Sequence, residues 1–329
     1  MRTYLVTGGA GFIGSNIAAR LAQDGADVVV CDWLRTDERW RNLAHHEIAD
    51  VIAPEALPHW LGRHGIGLEA VVHMGANSST TETDADLIYR QNSRATLDLI
   101  EWCTQHSKRL IYASSAATYG DGSAGFDDAP GSTALARLRP LNAYGWSKHL
   151  VDRRLTRLSE RRAPLPAQVV GLKFFNVYGP NEWHKGGMQS VVARNFPAVE
   201  RGEPVRLFRS ARPDYPDGGQ KRDFIYVRDC VEVVSWLLAN PQVSGIFNVG
   251  SGQARTWLDL ARALFAACGR PERIEFIDMP PQLAGKYQYF TEARMERLRH
   301  AGYAQPFTSL EDGVQDYVRT YLRAGDPYR

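Results

Sequence analysis

The sequence predicts an α/β protein: a doubly wound parallel sheet with a smaller, discontinuous substrate domain. Three observations predict it. Short apolar runs alternate with helix-length segments, the pattern of a parallel sheet covered by helices. The first run, Thr3 to Thr7, leads directly into a glycine-rich turn. The second, Asp27 to Cys31, is nearly all valine, as expected of a strand buried on both faces.

Taken in order, Thr3 to Thr7 is the first strand. Phe12 to Gln23 is a helix with Ile13, Ile17 and Leu21 on one face, and Asp27 to Cys31 is the second strand. Further strands are expected at Ala70 to His73, Arg109 to Ala113, Gln168 to Phe175 and Gly245 to Val249. A helix is expected from Tyr144 to Leu158. The carboxyl half is more irregular, with Gly- and Pro-rich loops around Gly179 to Gly187 and Arg212 to Gly219. Residues 1–175, 222–250 and 288–303 are assigned to a dinucleotide-binding domain. Residues 176–221, 251–287 and 304–329 are assigned to the substrate domain.

Composition excludes several classes. The 329 residues suffice for two domains. Lys and Arg total 39 against 37 Asp and Glu, a net charge of +2 without the surplus of a nucleic-acid binder. No apolar run approaches the roughly 20 residues of a membrane span, and no secretory leader is recognisable, so the expected location is the cytoplasm. Cys31, Cys103, Cys230 and Cys268 form no C-x-x-C pair, and no metal site is expected; His45-His46 is assigned to a surface loop.

Gly8, Gly11 and Gly14 form G-x-x-G-x-x-G between a strand and a helix. Glycines there let backbone approach a pyrophosphate, and the helix amino terminus offers free N–H groups and partial positive charge. This is the Rossmann dinucleotide-binding arrangement. Asp32, at the end of the second strand, stands where a carboxylate meets the adenosine ribose, which favours NAD. Arg35 and Arg39 follow and suit a 2′-phosphate, which favours NADP. Asp50 is a candidate neighbour of the adenine. The residues leave the choice of dinucleotide open.

Tyr144 and Lys148 form Y-x-x-x-K, so a helix places both on one face. A free tyrosine has a pKa of about 10; a nearby ammonium favours its phenolate and makes it a usable base for a carbinol proton. Ser115 closes the strand before it, where its hydroxyl can bond the oxygen being oxidised.

With Asn176-Val177-Tyr178-Gly179-Pro180, Arg222 to Asp229 and Phe247-Asn248-Val249-Gly250, these motifs resemble the extended short-chain dehydrogenase/reductase family over essentially the whole chain. The resemblance implies a Ser115–Tyr144–Lys148 triad and one tightly bound NADP per subunit, with NAD as the alternative. Cofactor contacts would come from Gly8, Gly11, Phe12, Ile13, Gly14, Asp32, Trp33, Arg39, Gly75, Ala76, Asn77, Asn92, Tyr144, Lys148 and Val177.

A narrower resemblance rests on Gly75 to Glu82, Ala113 to Gly120, Asn176 to Gly186 and Gly285 to Thr291. These segments are similar to nucleotide-sugar epimerases that invert C6″ of ADP-D-glycero-D-manno-heptose, an isomerase activity feeding lipopolysaccharide core biosynthesis. The implied chemistry is transient oxidation to a ketone and return of hydride from the cofactor. Lys185 would be the second acid/base. Ser115, Asn176, Gly187, Arg194, Phe208, Arg222 and Tyr287 would contact the substrate. The partner expected is a small-molecule nucleotide sugar, with no nucleic acid or membrane, in a homo-oligomer that the resemblance makes a pentamer. Trp33 stands where an Asn is usual, Pro54 where a cofactor-contacting Lys is expected, and Gly187 in place of a Ser; Arg209 to Gln220 is longer than usual. A C4 epimerase and a 4,6-dehydratase are the alternatives on this fold. Dehydratases carry an Asp-Glu pair after the catalytic hydroxyl, where this chain has Ala116 and Ala117.

Overall fold

A computed structural model describes residues 2–280 and 287–329. Seven parallel strands form the main sheet: β1 (Thr3–Thr7), β2 (Asp27–Cys31), β3 (Asp50–Ile52), β4 (Leu68–His73), β5 (Arg109–Ser115), β6 (Gln168–Phe174) and, later in the chain, β10 (Gly245–Val249). Their order is β10-β6-β5-β4-β1-β2-β3. The chain runs outward from β1 to β3 and then returns to the other side of β1 as β4. The crevice between β1 and β4 is therefore a topological switch point, where sheets of this kind take their ligands.

The valine-rich β2 is buried along Val28, Val29 and Val30, as its composition requires. Apolar clusters fill both faces of the sheet. One packs Val6, Val30, Val72, Ile111 and Leu172 against the first helix, Phe12–Gln23, and the helix Val227–Ala239. The other packs Leu5, Val29, Val71, Leu110 and Val169 against the helix Ala95–Gln105 and the helix Ala143–Glu160.

Immediately after β6 the chain enters β7 (Asn176–Tyr178), which leaves the main sheet and pairs with β9 (Lys221–Tyr226); β9 also pairs with β11 (Ala254–Thr256). Two more parallel strands, β8 (Val205–Phe208) and β12 (Ile274–Ile277), lie beside the helix Trp257–Cys268. These small sheets and the helices Val191–Glu200, Trp257–Cys268 and Leu310–Asp316 share a third apolar cluster. Phe12 and Val177 belong to it as well, so the glycine-loop helix and the second body of structure pack directly together.

The six strands read from the sequence are all observed, with β4 beginning at Leu68, β5 running on to Ser115 and β6 ending at Phe174. Strands β3, β7, β8, β9, β11 and β12 were not read from the sequence; β3, β7 and β11 have three residues each, too few to show a period. All four cysteines are free and buried.

Candidate active site

The glycine loop is shaped by steric necessity. Gly8 has a positive φ of 65°, and a Cβ on it would lie 2.5 Å from the Gly75 nitrogen. A Cβ on Gly14 would sit 2.1 Å from the Gly8 carbonyl oxygen. Only glycine at both positions lets the loop close against β4's end while the helix N-terminus faces the crevice. This cradle fits a dinucleotide pyrophosphate.

At the end of β2, Asp32 accepts hydrogen bonds from the backbone N–H of Ala10 (3.1 Å) and Trp33 (2.8 Å). Burial raises its pKa, and Arg39 opposes that shift. An open pocket of about 570 Å³ lies beside it, lined by Asp32, Trp33, Leu34, Arg35, Val51 and Ala53. Both a carboxylate and a guanidinium therefore border one space. Arg35 stacks its guanidinium 5.7 Å from the Trp33 ring centroid. Arg39 is held by Asp37 at 2.8 and 2.5 Å and stays 3.9 Å from Asp32. The Trp33 indole donates to Glu55, next to Pro54. Asp50 is turned to its own chain neighbour, accepting from the Val51 N–H at 2.9 Å. Leu34, Val51 and Ala53 carry no motif, and only the placement of β3 beside β2 reveals them.

Across the crevice, Gly75 donates its N–H to the Thr7 hydroxyl (3.3 Å), and Ala76 is exposed. Asn77 is fixed through Asn92. The Asn92 side chain accepts from the Asn77 N–H (2.7 Å) and donates to the Asn77 carbonyl and to Ser147 Oγ (both 3.0 Å). Asn92 is fully buried, and these hydrogen bonds tie the Gly75–Asn77 loop to the helix Ala143–Glu160. Behind it, His73 is buried between Thr7 (2.5 Å) and Thr96 (2.9 Å). Burial, with Lys148 nearby, pushes its pKa down to about 3, so it is a neutral structural group.

The helix Ala143–Glu160 starts at a defined point because Asn142 caps it, accepting from the Gly145 N–H at 2.8 Å. Tyr144 then lies half-buried at its first turn and Lys148 is buried one turn later. Burial raises the Tyr144 pKa, and the Ser115 hydroxyl at the end of β5 partly opposes that shift. The Lys148 ammonium donates to the Ala113 carbonyl at 2.7 Å, and burial brings its pKa down to about 8. Strand end and helix thus bring the three expected residues together. An alanine pair, Ala116–Ala117, follows Ser115 and offers no acid for expelling water.

Lys185 lies in the turn Trp183–Met188, its ammonium 4.8 Å from the Phe12 ring centroid. Burial lowers its pKa, and the buried Glu182 carboxylate opposes that. Glu182 fixes the turn by accepting from Ser190 N–H (2.5 Å) and Oγ (2.6 Å) and from Tyr317 (3.2 Å). Asn42 joins this turn to the glycine loop, donating to the carbonyls of Ala10 (2.8 Å) and Asn181 (3.2 Å).

On the substrate side, the buried Arg222 guanidinium lies 5.1 Å from the Tyr287 ring and 5.7 Å from Trp257. Its one hydrogen bond among the described residues goes to the Lys221 carbonyl. Neighbouring acids are engaged elsewhere: Asp223 accepts from the N–H groups of Ser251, Gly252 and Ala293, and Asp229 holds Thr308. A buried cation without a carboxylate suits an anionic ligand such as a diphosphate. Phe208 meets Tyr287 edge-on at 6.2 Å. Asn176 and Val177 are half-buried on β7, Gly187 is exposed in the Lys185 turn, and Arg194 is exposed on the first turn of Val191–Glu200. Gly285 and Lys286 lie outside the described residues.

The sequence pattern of the NAD dependent epimerase/dehydratase family matches residues 4–250. The chain belongs to this family. An ADP-L-glycero-D-manno-heptose-6-epimerase of Nitratidesulfovibrio vulgaris is 53% identical, with 99% of each chain covered. One from Fusobacterium nucleatum is 42% identical over 98% of this chain and 99% of its own. The crystal structure of the Helicobacter pylori ADP-L-glycero-D-manno-heptose-6-epimerase superposes with a TM-score of 0.80 at 30% identity, covering 97% of this chain and 96% of that one. A Thermus thermophilus UDP-glucose 4-epimerase in complex with NAD gives 0.74 at 26%, covering 98% and 100%. As a member of this NAD dependent family, the chain uses a nicotinamide cofactor.

Proposed function

We propose that this chain is an epimerase inverting C6″ of ADP-D-glycero-D-manno-heptose. The observation that carries the choice of sugar is the full-length 53% identity to a relative bearing that name. The site geometry supports the reaction type. A bound nicotinamide dinucleotide would supply reversible hydride acceptance from the sugar carbon, with no net consumption. The glycine cradle would hold its pyrophosphate, and Asp32, Arg35 and Arg39 would meet the adenosine ribose. We assign NADP as the preferred form, because Arg35 lines the ribose pocket and is free to bind a 2′-phosphate.

Tyr144 takes the proton from the carbinol oxygen and gives it back, with the Lys148 ammonium favouring the phenolate. Ser115 donates to the same oxygen. Lys185 serves the opposite orientation of the sugar, where its lowered pKa suits proton exchange near neutrality. Arg222 holds the diphosphate, with Tyr287 and Phe208 walling the nucleotide; Asn176, Gly187 and Arg194 complete the sugar site. Ala116 and Ala117 leave water elimination without an acid, which disfavours the 4,6-dehydratase reading.

Incubation of the purified protein with ADP-D-glycero-D-manno-heptose in D₂O, followed by NMR of the sugar, tests this. Inversion at C6″ without deuterium there is expected. No inversion with dinucleotide bound would move the assignment to a C4 epimerase on the same machinery. Residues 1–175, 222–250 and 288–303 are assigned with this reading to the dinucleotide domain, and residues 176–221, 251–287 and 304–329 to the substrate domain. A homo-oligomer, a pentamer by resemblance, is proposed with it, and native mass measurement checks that. No helix among the described residues is long and apolar enough to cross a membrane. A cytoplasmic site supplying lipopolysaccharide core synthesis is part of the same reading.

A further inference from the structure

Beneath the triad lies a fully buried ion pair that the reaction as described does not use. Asp152 and Lys173 are 2.7 Å apart, with side chains 0% and 1% exposed. Asp152 follows Lys148 by four residues, so Tyr144, Lys148 and Asp152 form one ridge of the catalytic helix. Its carboxylate also accepts from Tyr112 (2.9 Å) and Ser114 (2.8 Å), both on β5. The Lys173 ammonium, on β6, donates in addition to Thr118 (2.6 Å). Thr118 in turn donates to the Ser115 carbonyl at 2.8 Å. The network therefore grips the β5 terminus on both sides of Ser115. It even shapes its surroundings: a Cβ on Gly171 would lie 2.4 Å from the Tyr112 hydroxyl, so only glycine there lets that phenol reach Asp152.

A buried ion pair is a poor means of stabilising a fold, since desolvation offsets much of its attraction. Its position suggests another use. We propose that Asp152 is a positioning residue for the reaction: it registers the catalytic helix against Ser115 and supplies the countercharge for the Lys148 ammonium, while Lys173 balances that charge. This rests on Tyr144 and Lys148 being the catalytic pair. The other charged or titratable groups facing the cluster are His73 from β4, His149 and Arg153 on the helix itself, Arg139 before it, and Tyr119 with Asp127 and Asp128 beyond β5. Burial keeps His73 and His149 neutral near pH 7, with pKa values brought down to about 3 and about 4. Asp152 is the acid that draws the Lys148 pKa upward against burial.

The test uses holoenzyme carrying ¹³Cε-lysine, whose six lysines make the Lys148 resonance assignable through Lys148→Met. Its titration midpoint is read by NMR, together with kcat against pH. Asp152→Asn removes the countercharge and leaves the Lys173 cation, so the midpoint and the alkaline limb of kcat should fall by about one pH unit or more. Lys173→Met leaves the anion alone, so both should rise. Asp152→Asn/Lys173→Met, with no unpaired charge, should lie between them. If Asp152→Asn does not fold, the comparison of Lys173→Met with the double variant still carries the sign. A purely structural pair would lower thermal stability in each variant with the midpoint unmoved, and that outcome, or shifts in one common direction, overturns the proposal. The NMR midpoint needs no substrate, so failure of the wild type to turn over the heptose would count against the proposed function alone.

Discussion

The ammonium of Lys185 stands 4.8 Å from the Phe12 ring centroid, so the proposed second acid/base rests on the first residue of the dinucleotide-binding helix. The contact joins the two halves of the site, because Glu182 and Asn42 fix the same turn to the substrate side and the glycine loop. Lys185→Met should keep its dinucleotide through gel filtration and lose epimerisation by about 10²-fold or more. Loss of dinucleotide from the purified variant would instead assign Lys185 to cofactor binding.

Tyr144→Phe removes one oxygen from a helix whose cap and packing are intact. It should fold, retain dinucleotide and lose about 10²- to 10⁴-fold in kcat. Circular dichroism, the bound nucleotide spectrum and single-turnover rates read these separately; near-normal turnover would remove Tyr144 from the mechanism.

Lys148 illustrates function set against stability. Its pKa is about 8 in the fold and 10.5 ordinarily, so the unfolded chain holds its proton more tightly. The resulting penalty is fully present below about pH 8 and is relieved as pH rises from 8 toward 10.5. The gap of 10.5 − 8 = 2.5 units corresponds to roughly 3 kcal/mol at most. Lys148→Met should therefore abolish turnover while raising the urea midpoint at pH 7. A destabilised variant would mean that the Ala113 hydrogen bond outweighs burial of the charge.

His73 predicts acid sensitivity. Its folded pKa, about 3, lies below the ordinary 6.5, so below pH 6.5 the unfolded state binds the extra proton. Stability is lost as pH falls from about 6.5 toward 3, by roughly 1.4 kcal/mol per pH unit. Between pH 7 and pH 5 the wild type should lose about 2 kcal/mol that His73→Asn does not lose, although the variant starts less stable. Urea unfolding at the two pH values measures the difference.

Arg222→Met should raise KM for the nucleotide sugar by about 10- to 100-fold, as expected when a charged hydrogen-bond partner of a diphosphate is removed. With the dinucleotide site untouched, kcat should change far less. The opposite pattern, a fall in kcat at constant KM, would place Arg222 at the reacting carbon.

Local pattern was enough for six strands of the main sheet, for the glycine loop and for placing Tyr144 and Lys148 on one helix face. Val28 to Val30 announce a strand buried on both faces, Gly8 to Gly14 are forced by backbone closeness, and Tyr144 and Lys148 share a face by helical spacing. These features depend on neighbours within a turn or two. Other features depend on residues far apart in the chain. Val51 and Ala53 line the pocket beside Asp32 because β3 pairs with β2, and three residues carry no readable period. Asn92 carries no local mark of its bonds to Asn77 and Ser147, and Asp152 lies 21 residues from Lys173. Arg222 adjoins Asp223 in sequence and precedes Asp229 by seven residues, yet both acids accept from backbone N–H groups elsewhere and neither pairs with its guanidinium. The residue types and their spacing determined what chemistry this chain can perform. Which buried charges are paired, and which are left for substrate, was decided by tertiary packing, because desolvation and hydrogen-bond satisfaction are set by contacts between distant segments.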